Sequence, residues 1–340
     1  MLLAAPLGAI AVTLLVTSLL VAWAGAPVGR AYALLLEGGF GSRFAITETL
    51  TRATPLILTG LAAAVAFRAR LYNIGAEGQL YAGAIAAVAV GGLHGGVGLE
   101  LHPWLLWPLM IAAATAAGAL LLLGPALMKR LGVDEVVTTL LLNFIVLLAV
   151  SALLDGPMKD PSALGWPQSV ALQDTMQLDR LIERSRVHTG LVAALALAVA
   201  LWALLRFTTT GFEIRAVGAN ARAAAFAGMP VGWVTVKVAL ISGALAGLAG
   251  AVEVAGRAHY VTLDMSPGYG YSGIVVAMLA MLHPLGVVAA AVFVAGILVG
   301  ADSMSRAVGV PTYIADVIVS AALIAMLVAT MLTQYRVRWR

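Results

Sequence analysis

Residues 105–127 read LLWPLMIAAATAAGALLLLGPAL, 23 positions without one charged side chain. About 20 apolar residues suffice to cross the hydrocarbon layer of a bilayer as a helix, so this run is a membrane span. Working outward, Gly, Pro and charged residues punctuate nine further apolar runs: 7–23, 54–67, 80–97, 136–154, 191–205, 234–255, 273–282, 285–299 and 313–332. The expected fold is an all-α polytopic integral membrane protein of about ten transmembrane helices, a single transmembrane domain over 1–340. The run 273–282 is short for a full crossing and borrows length from the glycine-rich stretch before it. The first run follows no Lys or Arg and carries no small-residue cleavage signal, and reads as a retained span.

Composition agrees. Of 340 residues, 62% are hydrophobic and 11% charged, against about 45–50% and about 25% in soluble domains. A water-soluble globule is excluded. The lack of cysteine excludes disulfides, a thiolate metal site and a Cys nucleophile. Most basic residues behind the formal charge of +4 sit in short segments between apolar runs, which marks membrane orientation and not nucleic-acid binding. One face takes Arg68, Arg70, Lys129, Arg130, Lys237, the 206–232 loop and the tail residues Arg336, Arg338 and Arg340, 11 of the 20 basic residues. That face is expected to be cytoplasmic, with both termini inside, 206–232 as a cytoplasmic loop and 155–188 as an extracytoplasmic loop.

Two stretches, YNIGAEGQLYAG (72–83) and YVTLDMSPGYGYSG (260–273), each lead through glycines into apolar helix. His-Pro pairs follow the third and eighth runs, His102-Pro103 and His283-Pro284. Spans 2–5 and 7–10 therefore read as an inverted repeat, a layout that puts a transport path at the repeat interface. The two glycine-interrupted approaches are expected to face a cavity, since unpaired backbone at membrane depth is tolerated only there.

No G-x-x-x-x-G-K-[ST] loop precedes any of the three lysines, and H-E-x-x-H, G-x-S-x-G and clustered His are absent. Any ATP hydrolysis must come from a separate subunit, and membrane catalysis is not expected. The informative polar stretch is 208–230, TTTGFEIRAVGANARAAAFAGMP. Asn220 suits an N-cap, 220–227 is long enough for two Ala-rich turns, and Gly228 followed by Pro230 stops the helix. A small-residue helix with few charges suits docking on a partner; the same spacing also suits an interfacial linker.

GFEIRAVGANARAAAFAGM (211–229) resembles the coupling-helix region of bacterial ATP-binding cassette (ABC) importer permeases of the branched-chain amino acid and simple sugar superfamily. LYNIGAEGQLYAGA (71–84), EVVTTLLLNFIVLL (135–148) with GPMKDP (156–161), and GYGYSGIVVAMLAMLHPLGVV (268–288) resemble its nucleoside-importing subgroup. The likeness covers most of the chain from about residue 49 to residue 299. It implies a permease of the bacterial inner (plasma) membrane and not an enzyme. It implies no cofactor in this chain, with ATP and magnesium bound by two partner ATPase subunits. It further implies a second related permease, an extracytoplasmic substrate-binding (lipo)protein and a small-molecule substrate, with no metal site and no nucleic acid. Arg215, Gly218, Asn220, Ala224 and Gly228 would carry the coupling to the ATPases.

Polar residues inside spans are candidates for the substrate path, because a charge at a helix centre costs at least about 2.5–3.5 kcal/mol on insertion scales. Asn73, Glu77 and Gln79 can line the path and meet a ribose hydroxyl or base edge, or can cap and tie down broken backbone. Asn143 beside Phe144 suits a nucleobase, bonded at its edge and stacked on its face, or else holds helices together. Tyr269 and Tyr271 offer ring and hydroxyl in the mirrored approach, or belong to an interfacial aromatic belt. Lys237 and Glu253 mark the two ends of one span, and Asp316 the outer end of the last. The function reads as the permease of an ATP-driven nucleoside importer. A simple-sugar (ribose-type) importer permease is the near alternative. An ion-coupled secondary transporter, with Glu77 as its one suitably placed acid, is the distant one.

Overall fold

The computed structural model describes residues 4–92, 102–309, 311–314 and scattered positions from 317 to 328. Most of the last expected span, with Asp316 and the tail arginines Arg336, Arg338 and Arg340, lies outside the described residues, as does 93–101. The described helices are α1 (Ala4–Trp23), α2 (Val28–Phe40), α3 (Arg43–Arg68), α4 (Ala76–Gly91), α5 (Pro103–Met128) and α6 (Glu135–Asp155), then α7 (Gly190–Phe207), α8 (Thr209–Ala219), α9 (Ala221–Phe226), α10 (Val231–Glu253), α11 (Tyr269–Leu279) and α12 (Pro284–Val308). Among the described residues six helices are long and apolar enough to cross a membrane: α3, α5, α6, α7, α10 with the π turn Val254–Ala258, and α12. The helix pair α1 and α2, bent by 114°, makes a seventh if it is one span. The protein is thus a helical multi-pass membrane protein.

The chain forms two compact units, Met1–Ala53 with Val292–Arg340, and Thr54–Ala291. In the first, α2 buries Ala31, Leu35 and Gly39, one residue per turn. Gly38 and Gly39 lie against Ser303 and Gly296 of α12. Arg52 is paired with Asp302 at 2.6 Å.

The second unit is built on α4, α5 and α10. Lipid offers no hydrophobic drive between helices, so close backbone packing must supply the attraction. Glycines provide it here: a Cβ on Gly247 would strike the Ala114 carbonyl, one on Gly118 the Gly243 carbonyl, and one on Gly250 the Leu80 carbonyl. The 155–188 connection is pinned over the ends of these helices. Leu172 and Leu178 donate to the carbonyls of His259 and Ala255 at 2.7 and 2.8 Å, and Gln173 to that of Gly91 at 3.0 Å. The Trp107 indole donates to the Thr175 carbonyl at 3.0 Å. His188 is buried at the end of this connection with the backbone of Gly256 against its ring. Burial first, then the charges of His259 and Arg257, push its imidazole down to about 4, so it is neutral at physiological pH.

Three helices differ from expectation. Helix α2 falls in a stretch read as connection, and α3 begins at Arg43 instead of residue 54. Its early turns look polar, but the Thr47 and Thr51 hydroxyls donate back to the carbonyls of Phe44 and Thr47, at 2.9 Å each. The polar groups are thereby satisfied within the helix. Helix α8 occupies what reads as loop, because Thr208 caps it by accepting from the Gly211 N–H at 3.0 Å.

If the close packing of α5 on α10 sets stability, Gly247→Ala should lower the thermal midpoint in detergent by the equivalent of about 1–3 kcal/mol, an overpacking cost. Gly124→Ala, also in α5 but with nothing within 4 Å of the added methyl, should hold or raise it. Equal midpoints for the two variants would contradict this packing.

Candidate functional site

Between α3 and α4 the backbone of residues 71–75 is not helical, and its polar groups need partners. One face of α6 supplies partners for three of them. Glu135, Thr139 and Asn143, spaced four apart, all point inward and are buried. The Tyr72 N–H donates to the Glu135 carboxylate at 3.4 Å, and the Ile74 N–H to the Thr139 hydroxyl at 3.2 Å. Asn143 accepts from the Gly78 N–H at 2.8 Å and donates to the Ile74 carbonyl at 2.9 Å and the Tyr271 hydroxyl at 3.1 Å. Gly78 lies in the first turn of α4, where helix N–H groups have no intrahelical acceptor, so Asn143 caps that helix from a neighbour.

Asn73 and Gln79 bond each other through both ends of their amides, at 2.9 Å each. Asn73 also accepts from the Gly75 N–H at 3.0 Å and donates to the Ser242 hydroxyl at 3.1 Å. Ser242 passes its own proton to the Ala62 carbonyl at 2.8 Å. A closed polar knot results, joining the 71–75 segment to α3, α4 and α10.

The second approach, residues 259–268, meets the first directly. Gly270 in the opening turn of α11 lies backbone to backbone on Ala76 and Glu77. The Glu77 carboxylate accepts from the Gly270 N–H at 2.6 Å and bonds the Ser266 hydroxyl. A carboxylate at a helix N-terminus is favoured by the helix dipole, and the bond is charge-assisted. The Thr59 hydroxyl lies 2.9 Å from the Tyr269 carbonyl. The Tyr81 hydroxyl donates to the Leu263 carbonyl at 2.5 Å and accepts from the Ser266 N–H at 3.3 Å.

These contacts sort the candidates. Asn73, Glu77, Gln79 and Asn143 are buried, and their side chains bond the 71–75 segment, one another or the first turns of α4 and α11. Tyr269 is 1% exposed and so is no belt residue, while Tyr271 is 38% exposed and bonds Asn143. Phe144 does not join its neighbour: it is 56% exposed, because consecutive helical residues point about 100° apart. Glu253 is fully buried and paired with Arg257, and Lys237 pairs with Glu213 of α8 at 3.1 Å. Glu135, Thr139 and Ser242 did not stand out in the sequence, although the four-residue spacing of the first two with Asn143 was visible.

In the 206–232 segment, Asn220 caps α9 by accepting from the N–H groups of Arg222 and Ala223 at 3.0 and 3.1 Å. Gly228, at φ +83°, ends it in the left-handed region that other residues avoid. Ala224 and Gly218 face inward: Gly218 sits on the Arg68 carbonyl, where any side chain would collide. Arg215 is half-buried close to the Arg68 charge. The outward surface is made by Arg222, Ala223, Ala225 and Phe226, the last 96% exposed. Phe226, the largest apolar side chain on that surface, was absent from the sequence candidates.

The matches to known proteins agree with this architecture. The chain is 38% identical over 328 residues to the guanosine ABC transporter permease protein NupP of Bacillus subtilis, covering 96% of this chain and 92% of that one. It is 36% identical to the glucose ABC transporter permease protein TsgB13 of Haloferax volcanii (90% and 82%). It is 31% identical to the nucleoside ABC transporter permease protein NupB of Lactococcus lactis (85% and 81%). Residues 45–327 match the family described as branched-chain amino acid transport system / permease component, and the chain belongs to that family.

Proposed function

We propose that this chain is the membrane permease of an ATP-driven nucleoside importer, served by two separate ATPase subunits. The observation that carries the reading is α9, a short helix fixed at both ends that turns the Phe226 ring outward in a chain without a phosphate loop. An apolar ring exposed on a capped helix suits a pocket on a partner. The guanosine and nucleoside relatives support the substrate class, and the glucose relative keeps a simple-sugar permease as the second reading.

The complete assembly in this reading has a second related permease and an extracytoplasmic binding protein, in a bacterial inner membrane. The chain is one transmembrane domain of about ten spans with both termini cytoplasmic. The 155–188 connection lies outside, and 206–232 lies inside with its coupling helix. Spans 2–5 and 7–10 form an inverted repeat, a layout supported by the meeting of the two glycine-interrupted approaches at Glu77 and Gly270.

Coupling follows the contacts. A push on α9 passes to α8, which rests on the end of α3 through Gly218 and on α10 through Glu213 and Lys237. The 71–75 segment leaves that end of α3, and Glu77 joins it to α11. Substrate advances because the ATPases and the binding protein each bind one arrangement of this linkage better than the other.

Cells given this chain with the ATPase, second permease and binding protein of its gene neighbourhood should take up labelled guanosine, adenosine or uridine, and cells given this chain alone should not. Uptake by the chain alone, abolished by collapsing the ion gradient, would overturn ATP coupling; uptake of glucose and no nucleoside would overturn the substrate class. Within the complete set, Phe226→Ala or Ala223→Trp should lower uptake about tenfold or more at equal membrane levels, as loss of an interface anchor does. Asn143→Leu leaves the Gly78 N–H and Ile74 carbonyl unbonded, at about 1–3 kcal/mol each, and should lower the melting temperature, whereas Phe144→Leu should not.

A further inference from the structure

Each of the two broken approaches is held by a charged clip, and the two clips are built alike. On the first, Lys129 follows the last turn of α5 and Glu135 opens α6, places where the helix dipoles favour a cation and an anion. The Lys129 ammonium is paired with the Glu135 carboxylate and donates to the Arg70 carbonyl at 2.5 Å. The same carboxylate oxygen accepts from the Tyr72 N–H at 3.4 Å. On the second, the Arg257 guanidinium is paired with Glu253 and donates to the Met265 carbonyl at 2.9 Å. Each clip thus joins a cation, a carboxylate and a backbone carbonyl of the approach.

Burial and backbone geometry set these clips apart from surface ion pairs. The Glu135 and Glu253 side chains are 10% and 0% exposed, so loss of the cation would strand a buried charge. Each clip also lies at a left-handed residue that is not glycine: Arg70, whose own carbonyl is held, at φ +56°, and His259, between Arg257 and Met265, at φ +65°. Such backbone persists only where its surroundings hold it, so each clip holds a turn that has a more relaxed alternative. Both clips adjoin a surface that a partner would load. Gly218 of α8 rests on the Arg68 carbonyl, two residues before the carbonyl that Lys129 holds. The 155–188 connection grips the backbone on both sides of Arg257, Leu178 donating to Ala255 and Leu172 to His259. The approaches themselves meet at Glu77 and Gly270, so displacement of one bears on the other.

We propose that the Lys129 and Glu135 pair is the inner latch of the transport path and the Arg257 and Glu253 pair its outer latch. Motion of the ATPases releases the first, docking of the binding protein releases the second, and the two are never open together. Lys129 and Arg257 act as positioning residues, and neither meets the solute. A closed latch excludes water and keeps its Coulomb attraction strong, whereas a lifted approach admits water and weakens it, which makes each latch two-state. The proposal rests on the orientation given above, with 206–232 inside and 155–188 outside.

The test uses the complete transporter in right-side-out and inside-out vesicles. The chain has no native cysteine, so Tyr271→Cys, at a position 38% exposed beside the junction, reports access to a membrane-impermeant thiol reagent, read by the mass of this chain. In that background, Lys129→Met with Glu135→Gln removes the inner latch without stranding a charge, and Arg257→Met with Glu253→Gln removes the outer one. Without nucleotide, the first should speed labelling from the cytoplasmic side about tenfold and the second from the outer side by as much. Each should leave the opposite side at the unaltered rate, and ATP hydrolysed per nucleoside imported should rise in both. Lys129→Arg and Arg257→Lys, which keep the charge, should label as the unaltered chain does. No change in labelling would overturn the latches, and an equal change from both sides would overturn them in favour of a purely structural role. Labelling shifted on the exchanged sides would instead overturn the orientation on which the assignment rests.

Discussion

A backbone N–H or carbonyl at membrane depth has no water to bond, and the rest of this structure depends on how that requirement is met where the helices break. Residues 71–75 leave helical geometry, and α11 opens beside them. Side chains from neighbouring helices take four of the N–H groups that the breaks leave open. Asn143 caps α4, Glu77 caps α11, and Glu135 and Thr139 receive the N–H groups of Tyr72 and Ile74. An unbonded group at such a place costs about 1–3 kcal/mol in proteins, so the set holds together or fails together.

The same bonds occupy the polar residues of the core. An amide bonded at all of its groups, as Asn73 is, has nothing left for a passing solute. In the proposed mechanism the buried polar cluster is the hinge, and contact with solute is left to partly exposed groups nearby such as Tyr271. Glycines serve the same end by another route. Where α4, α5 and α10 cross, and where α8 meets Arg68, the missing side chain lets carbonyls touch neighbouring backbone, the stiff contacts through which the proposed mechanism carries a displacement at α9.

Much of this was legible in the sequence. Apolar runs located the long spans, and Asn220, Gly228 and Pro230 bounded α9 because cap chemistry is local. The glycine-rich approaches were singled out as places of special backbone, and they do meet. Direction in space was less legible. Asn143 and Phe144 are neighbours in sequence but face different ways, and a composition that is apolar all round, as in α6, hides which face is inward. Helices α2 and α8 were missed because their amphipathic or Thr-led sequences resemble loops until tertiary partners are present. The exposure of Phe226 depends on Ala224 facing inward, a packing fact that no local rule supplies.

The central claim, that the Asn143 and Glu77 caps form a hinge moved by the ATPases, is tested most directly by hydrogen–deuterium exchange in the complete transporter. Peptides containing the Gly78 and Gly270 amides are followed without nucleotide and during ATP turnover. The result expected is protection at rest and faster exchange at both amides during turnover, with the change lost when Phe226 is replaced by Ala. Unchanged protection at both sites while the transporter hydrolyses ATP and moves substrate would contradict the hinge.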